Sequence, residues 1–450
     1  MRQKANSILF SALVVLILAV AVPVAAQNPY SYERHPAKNI FAVDYAYFKT
    51  DRPDSNRFEL YYKIHNAALQ FVRDGDGFSA GYELYVTVYD DDDRQHTALS
   101  RERDLHVDSY AATISPDDFR ISQINFGLAP GKYKVEFQLY DINSQATLKQ
   151  SLQADLTEFS SRNPQLSGIE LVHSVDTTVV DSVFAKGDIA VIPGVSRLYS
   201  GDSTAHLFFY HEIYQGSGET DEFDLVTRIL DRKLNSVYGD TISNSFGDED
   251  NMIRQLRRIP LAGLKSGEYS LEVSILGRRN RVVDRVDVPF RIYWSPEALI
   301  LYEPEKAISQ LKYFAEPRDV RAMTAEEEDG LKEASSAEER VRRWNEFWAV
   351  RDPSPGTTDN ELKNEFFNRV EFVNRNFSVM RKEGWQTDRG RIFLQFGEPD
   401  QVENFPFELN QKAHQIWYYY HLKELRKFIF VDEWNDGDYR LQFPYDGRSW

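Results

Sequence analysis

The 450-residue chain has no cysteine. A disulfide-stapled mini-domain, a cysteine-ligated zinc or iron–sulfur centre, a thiol nucleophile and a lipobox-type lipid anchor all need that sulfur and are excluded. A basic excess is also missing. Lys and Arg number 53 against 70 Asp and Glu, giving a formal net charge of −17. Without a long basic run the chain has no electrostatic footprint for a nucleic-acid backbone. No Gly-x-Ser-x-Gly elbow, Walker loop or dinucleotide fingerprint occurs, so the sequence implies no cofactor. Beyond the first 26 residues no apolar run approaches membrane-spanning length. Apolar side chains (42%) and aromatics (14%) are plentiful, which argues against global disorder. At roughly 150 residues per domain, the length suggests about three domains.

Residues 1–26 read as a secretory signal peptide. Arg2 and Lys4 precede an apolar stretch from Ile8 to Val22, and Pro23 leads into Val24-Ala25-Ala26, a small-residue site for cleavage before Gln27. An uncleaved anchor over Ser7 to Ala26 is the alternative, since about 20 apolar residues can span a bilayer. Cleavage makes the mature protein periplasmic or extracellular, associated with a membrane only through a partner.

Residues 27–160 and 161–295 read as two antiparallel β-sandwich modules. Phe58, Leu60, Tyr62 and Ile64 alternate with polar positions, as do Tyr82, Leu84, Val86 and Val88, the pattern of half-buried strands. Turns rich in Gly, Pro and Asp separate the strands, with no helical pattern between them. Leu264 to Val273 echoes Leu128 to Phe137, each with a Gly turn before a Tyr-led strand. Two copies of one sandwich type are expected, weakly resembling immunoglobulin-like and fibronectin-type modules. Asp90-Asp91-Asp92-Asp93 reads as a solvated hairpin turn or, less well, as a calcium loop without the required spacing. His211-Glu212 begins like a zinc-protease motif, but Gln215 stands where the second His belongs, so no metal site is expected. Tyr61, Tyr85 and Tyr89 occupy the alternate, solvent-facing positions, as sheet-surface packing or a sugar-stacking platform.

From residue 296 to 450 the periodicity changes to about 3.6 before returning to strands, which predicts an α+β domain, helices then a small antiparallel sheet. Glu303–Phe314 and Ala337–Val350 read as helices, the second with Ser336 and Glu339 as a capping box. Thr358-Asp359-Asn360-Glu361 opens a third, with Leu362, Phe366, Val370, Val373 and Phe377 on its core face and Glu365/Arg369 and Glu371/Arg375 as i,i+4 pairs. In Gly384-Trp385-Gln386-Thr387-Asp388-Arg389-Gly390-Arg391, Gly384 is expected to end that helix in the left-handed conformation. Thr387 and Asp388 satisfy turn amides, and Gly390 gives sharp entry to a strand over Arg391–Phe396. Further strands are expected at 415–420, 427–432 and 439–443.

This block, with Gly397-Glu398-Pro399-Asp400, the upstream Phe347-Trp348 and Arg351-Asp352-Pro353, and the downstream Ile416-Trp417-Tyr418-Tyr419, resembles the GWxTD-domain proteins. The resemblance covers roughly Ala337 to the C terminus and implies an exported bacterial protein, often with sandwich-like modules ahead of the domain. It carries no established activity and no catalytic residues to transfer.

The residues that merit weighing as a binding site are Trp385, Thr387, Asp388, Arg389, Arg391 and Trp417. Two guanidiniums beside an aromatic and an acid can clamp a carboxylate, a phosphate or an acidic tail. The structural reading is a network in which Asp388 caps, an arginine pairs with Glu371, Asp400 or Asp432, and Trp385 anchors the loop. Two functional classes follow. In the first, a non-catalytic exported protein displays its C-terminal domain to an envelope protein or peptide. In the second, an enzyme or glycan-binding protein has its site between the second sandwich and the C-terminal domain, with Asp388, Arg389 and Glu398 or His414 facing it. A flat aromatic patch rimmed by charge favours the first, a deep cleft with a shifted carboxylate the second.

Overall fold

The computed structural model describes residues 40–443 except 53, 116–117, 179–181, 200–204, 219–221, 248–250, 315–322, 357–359, 380–381, 406–411 and 423–425. The signal segment and Thr358-Asp359 lie outside the described residues, as does the side chain of Arg375. These residues form two compact units, one up to Glu371 and the other from Phe372 onward.

The first module comprises β1 (Phe41–Lys49), β2 (Asn56–His65), β3 (Val72–Asp74), β4 (Gly77–Asp90), β5 (Gln95–Val107), the short helix α1 (Tyr110–Ile114), β6 (Phe119–Leu128), β7 (Gly131–Asp141) and β8 (Thr147–Leu156). Sheet β1-β2-β6 faces sheet β5-β4-β7-β8, which β3 extends at the start of β4. Phe58, Leu60, Tyr62 and Ile64 of β2 meet Leu84, Val86, Val135 and Phe137 in one core. Asp90 to Asp93 form the β4–β5 hairpin turn, with the Asp93 N–H donating to the Asp90 carbonyl at 3.0 Å.

The second module runs through β9 (Gln165–Leu166), β10 (Glu170–Asp176), β11 (Ala190–Pro193), β12 (Leu198–Tyr199), β13 (His206–Tyr214), β14 (Glu222–Asp231), β15 (Ser236–Ser245), β16 (Met252–Pro260), β17 (Gly267–Gly277) and β18 (Arg281–Ile292). Its order repeats that of the first: β10-β13-β16 corresponds to β1-β2-β6, and β15-β14-β17-β18 to β5-β4-β7-β8. The sequence echo lies at equivalent places. Gly131 and Gly267 have positive φ (146° and 155°) at the starts of β7 and β17. Two residues on, the Tyr133 hydroxyl donates to the Ala129 carbonyl at 3.1 Å and the Tyr269 hydroxyl to that of Lys265 at 2.7 Å.

The modules pack back to back. Ala42, Ala46, Phe48 and Tyr61 of the first form a second core with Val172, Val191, Val195 and Tyr210 of the next, so β2 is covered on both faces. This corrects the half-buried reading of β2 and the solvent-facing assignment of Tyr61, which is buried; alternation shows which side chains share a face, not what covers it. Tyr85 does stand exposed.

Helices α2 (Pro296–Tyr302), α3 (Pro304–Leu311), α4 (Ala325–Lys332) and α5 (Ala337–Ala349) follow, then α6 (Glu361–Phe377), in which the boundary between the units falls. Pro304 begins a new helix because it lacks an N–H, so the helical stretch around Glu303 is two short helices. Asn360 caps α6, its Oδ1 accepting the Lys363 N–H at 2.9 Å. Trp344, Phe347 and Trp348 of α5 are buried, with Phe366 and Phe367 of α6 in ring contact with Trp348. The second unit continues with α7 (Asp388–Phe396) and the antiparallel sheet β19 (Gln401–Phe405), β20 (His414–Tyr419), β21 (Arg426–Asp432) and β22 (Tyr439–Phe443), in that order. No helix among the described residues is long and apolar enough to cross a membrane.

Candidate functional site

Residues 388–396 form helix α7, not the strand expected over Arg391–Phe396. The Thr387 side chain accepts the Gly390 N–H at 3.1 Å as N-cap, and Gly397, at φ 78°, closes the helix. The alternation misled because Asp388, Arg389 and Arg391 are themselves buried, so polar positions do not mark a solvent face.

The glycines of the block act through space. Gly384 lies in a 3-10 turn without positive φ, where a Cβ would sit 1.7 Å from the Val373 carbonyl oxygen. Gly390 is helical, and a Cβ there would sit 1.8 Å from the Gly384 carbonyl oxygen. The backbones of α6, the turn and α7 therefore touch. The left-handed cap and the strand-entry role assigned to these glycines are both replaced by close backbone approach.

Around this contact the six candidate residues are buried. The Trp385 N–H donates to Asn374 Oδ1 at 3.1 Å, and its indole Nε1 to Glu383 at 2.7 Å. The Thr387 hydroxyl donates to the Gly384 carbonyl at 2.7 Å. Asp388 joins helix to sheet: one carboxylate oxygen accepts the Leu441 N–H of β22 at 2.7 Å, the other pairs with Arg391 at 3.1 Å. Arg389 lies over the rings of Phe377 and Tyr439, with its centre 5.0 and 4.3 Å from their centroids, and donates to the Gly437 carbonyl at 3.2 Å. Asp432 accepts the N–H groups of Asp436 and Gly437 at 3.0 Å each, which holds the loop that offers this carbonyl. Trp417 is fully buried against Phe377 and Phe430, with ring centroids 5.6 and 4.8 Å away. The structure thus brings Thr387, Asp388, Arg389, Arg391 and Trp417 into one core, with Trp385 anchoring its entry.

His414 and Glu398 stand differently. His414 stacks on Phe405 at 4.5 Å at the sheet margin, and Glu398 is half-buried in the turn after α7. In the same region Asp400, which sequence reasoning treated only as an arginine partner, pairs with His421 Nδ1 at 2.8 Å. Burial opposes its ionisation, but hydrogen bonds from His421 and nearby backbone amides outweigh this and lower its pKa.

The face of the sheet opposite Trp417, Tyr419, Phe428 and Phe430 carries Ile416, Tyr418, Ile429 and Val431. Ile416 pairs with Ile429 across the ladder, and Tyr418 with Lys427. The rings of Tyr418 and Tyr420 stack at 5.9 Å, inclined by 9°, with Tyr420 53% exposed. The Tyr418 hydroxyl donates to Glu403 at 3.1 Å, and Lys427 Nζ lies 5.5 Å from its centroid. The Trp417–Tyr420 run therefore divides between core and surface by strand alternation.

Residues 307–444 match the GWxTD domain family. No curated protein matches the chain. Among solved structures, two glycosyl hydrolase family 2 members, from Bacteroides cellulosilyticus and from its strain DSM 14838, are similar at 11% identity and a TM-score of 0.20. The matches cover 55% and 52% of this chain but only 29% and 28% of those chains.

Proposed function

With residues 307–444 matching the GWxTD domain, we propose that the chain is a non-catalytic exported protein whose C-terminal sheet docks an envelope protein or peptide through the face opposite α7. The observation supporting this reading is the flat patch of Ile416, Tyr418, Tyr420, Ile429 and Val431, rimmed by Glu403, Lys427 and Arg440. Aromatic side chains with a polar tip supply rigid contact area at low entropic cost, and an apolar patch with a charged rim is the ordinary anatomy of a protein interface. The sandwich pair, of immunoglobulin- or fibronectin-like type in this reading, displays the domain. The signature residues build the platform from inside.

Cross-linking affinity capture from the native envelope tests it, comparing wild type with a Tyr418→Ala, Tyr420→Ala variant of unchanged melting temperature. One envelope protein enriched by wild type and lost with the variant is the expected result. Persistence of that protein with the variant, or no enrichment at all, overturns docking through this face.

A further inference from the structure

Five arginines of the second module each meet a carboxylate, one of them Arg197, which pairs with Asp44 of the first module. Arg228 and Arg285 reach Glu272 at 2.6 and 3.5 Å, Arg232 reaches Glu268 at 3.1 Å, and Arg257 pairs with Asp240. Arg278 and Arg281, at the turn between β17 and β18, have no carboxylate partner among the described residues. Gly277 pairs with Arg281 across the ladder, so Arg278, Arg279 and Asn280 form a three-residue turn, with Arg279 and Asn280 both left-handed at φ 62° and 57°; Arg278 opens that turn and Arg281 begins the returning strand.

Both arginines line a pocket of about 410 Å³ with Asn163, Phe223, Gly277 and Val282. Val282 is half exposed there, an apolar surface beside the two guanidiniums. A Cβ at Gly277 would meet Val283 Cγ1 at 2.9 Å, so this wall fits glycine. The size lies in the range of small-molecule sites, which combine apolar walls with a few polar groups. A guanidinium presents a planar fork of donors matched to a carboxylate or phosphate. The chain's charge of −17 repels polyanions at long range, which favours a small ligand of low charge.

We propose that this pocket binds a small organic oxyanion, a carboxylate or phosphate ester carried on a sugar-ring or apolar body. The guanidiniums of Arg278 and Arg281 hold the oxyanion, the Asn163 amide offers a further hydrogen bond, and the body lies along Val282. The site is independent of the docking face on the C-terminal sheet.

Calorimetric titration of the full chain with glucuronate, glucose 6-phosphate, glucose and inorganic phosphate tests the proposal, repeated on Arg278→Ala, Arg281→Ala and on Arg278→Lys, Arg281→Lys. Saturable binding of at least one charged sugar is expected, with glucose and inorganic phosphate binding at least about tenfold more weakly, the ratio that one charge-assisted hydrogen bond supplies. The alanine pair should lose that binding. The lysine pair, which keeps charge but not the fork, should retain a weakened part and carries the test if the alanine pair melts lower. Absence of saturable binding by either charged sugar, equal binding of inorganic phosphate, or undiminished binding by both variants overturns it.

Discussion

The joint between the sandwiches and the core of the GWxTD unit both bury charge, by opposite means. At the joint, Lys186 lies between Glu59 of the first module and Glu170 of its own, 3.2 Å from the latter and 4.0 Å from the ring centroid of Phe48. Arg57 adds a pair to Glu59 at 2.8 Å and lies 3.7 Å from Glu212, while Tyr61 donates to Glu59 and Tyr210 to Glu212. Three carboxylates thus face two cations, and Glu170 meets the excess: burial, only partly offset by Lys186, raises its pKa to about 7. In the second unit, two buried signature charges reach backbone, Asp388 the Leu441 amide and Arg389 the Gly437 carbonyl. The joint balances charge against charge, whereas the signature adds main-chain partners to its Asp388–Arg391 pair. Only the joint is therefore expected to respond strongly to pH.

Removing the buried Lys186 should do most damage. Lys186→Ala strands two carboxylates in the joint and should cost about 3–5 kcal/mol in urea unfolding of the first unit, as broken buried pairs do. Gly384→Ala strikes the other side of the comparison: its Cβ meets backbone, which cannot turn aside, so the second unit should lose about 3 kcal/mol or more. Circular dichroism melts of both variants check the pair.

Glu170→Gln sharpens the contrast through pH. A carboxyl with a raised pKa takes up a proton more readily when folded. Its contribution is therefore full below the ordinary value of 4.5 and lost as pH rises through about 7. Wild-type stability of the first unit should fall across that window, and the variant should flatten the fall. Denaturant midpoints from pH 4 to 8 read this directly. A smaller effect is expected from Thr387→Ala, which removes a cap and should cost about 1 kcal/mol in the second unit without changing its pH profile.

Much of this was legible in residue order. Period two gave the strands on both sides of the Gly131 and Gly267 turns, and the echo between them falls at topologically equivalent strands. The helix over residues 361–377 and the strands near Trp417, Phe428 and Tyr439 were equally readable from their spacing. Burial of the second face of β2 was not. Glu59 and Tyr61 occupy positions that ordinarily face water, and only long-range packing against Val172 and Tyr210 encloses them. Alternation of Ile392, Leu394 and Phe396 suggested a strand because a short helix buried from Asp388 to Leu394 leaves no polar stripe to betray its period. For the same reason Arg389 and Arg391 looked available to a ligand: sequence shows a guanidinium but not the carbonyl it reaches. The Arg278–Arg281 pocket depends on a turn geometry and on the lack of carboxylate partners among the described residues, neither of which spacing reveals.

The claim that the signature residues build the platform instead of touching the partner is tested most directly by Arg389→Ala, measured together for melting and envelope capture. Loss of the guanidinium frees the Gly437 loop and its stacking on Tyr439, so the second unit should be destabilised by about 2–4 kcal/mol, while whatever remains folded still captures the partner. A variant that melts as wild type yet captures nothing would contradict the account and make Arg389 a docking group.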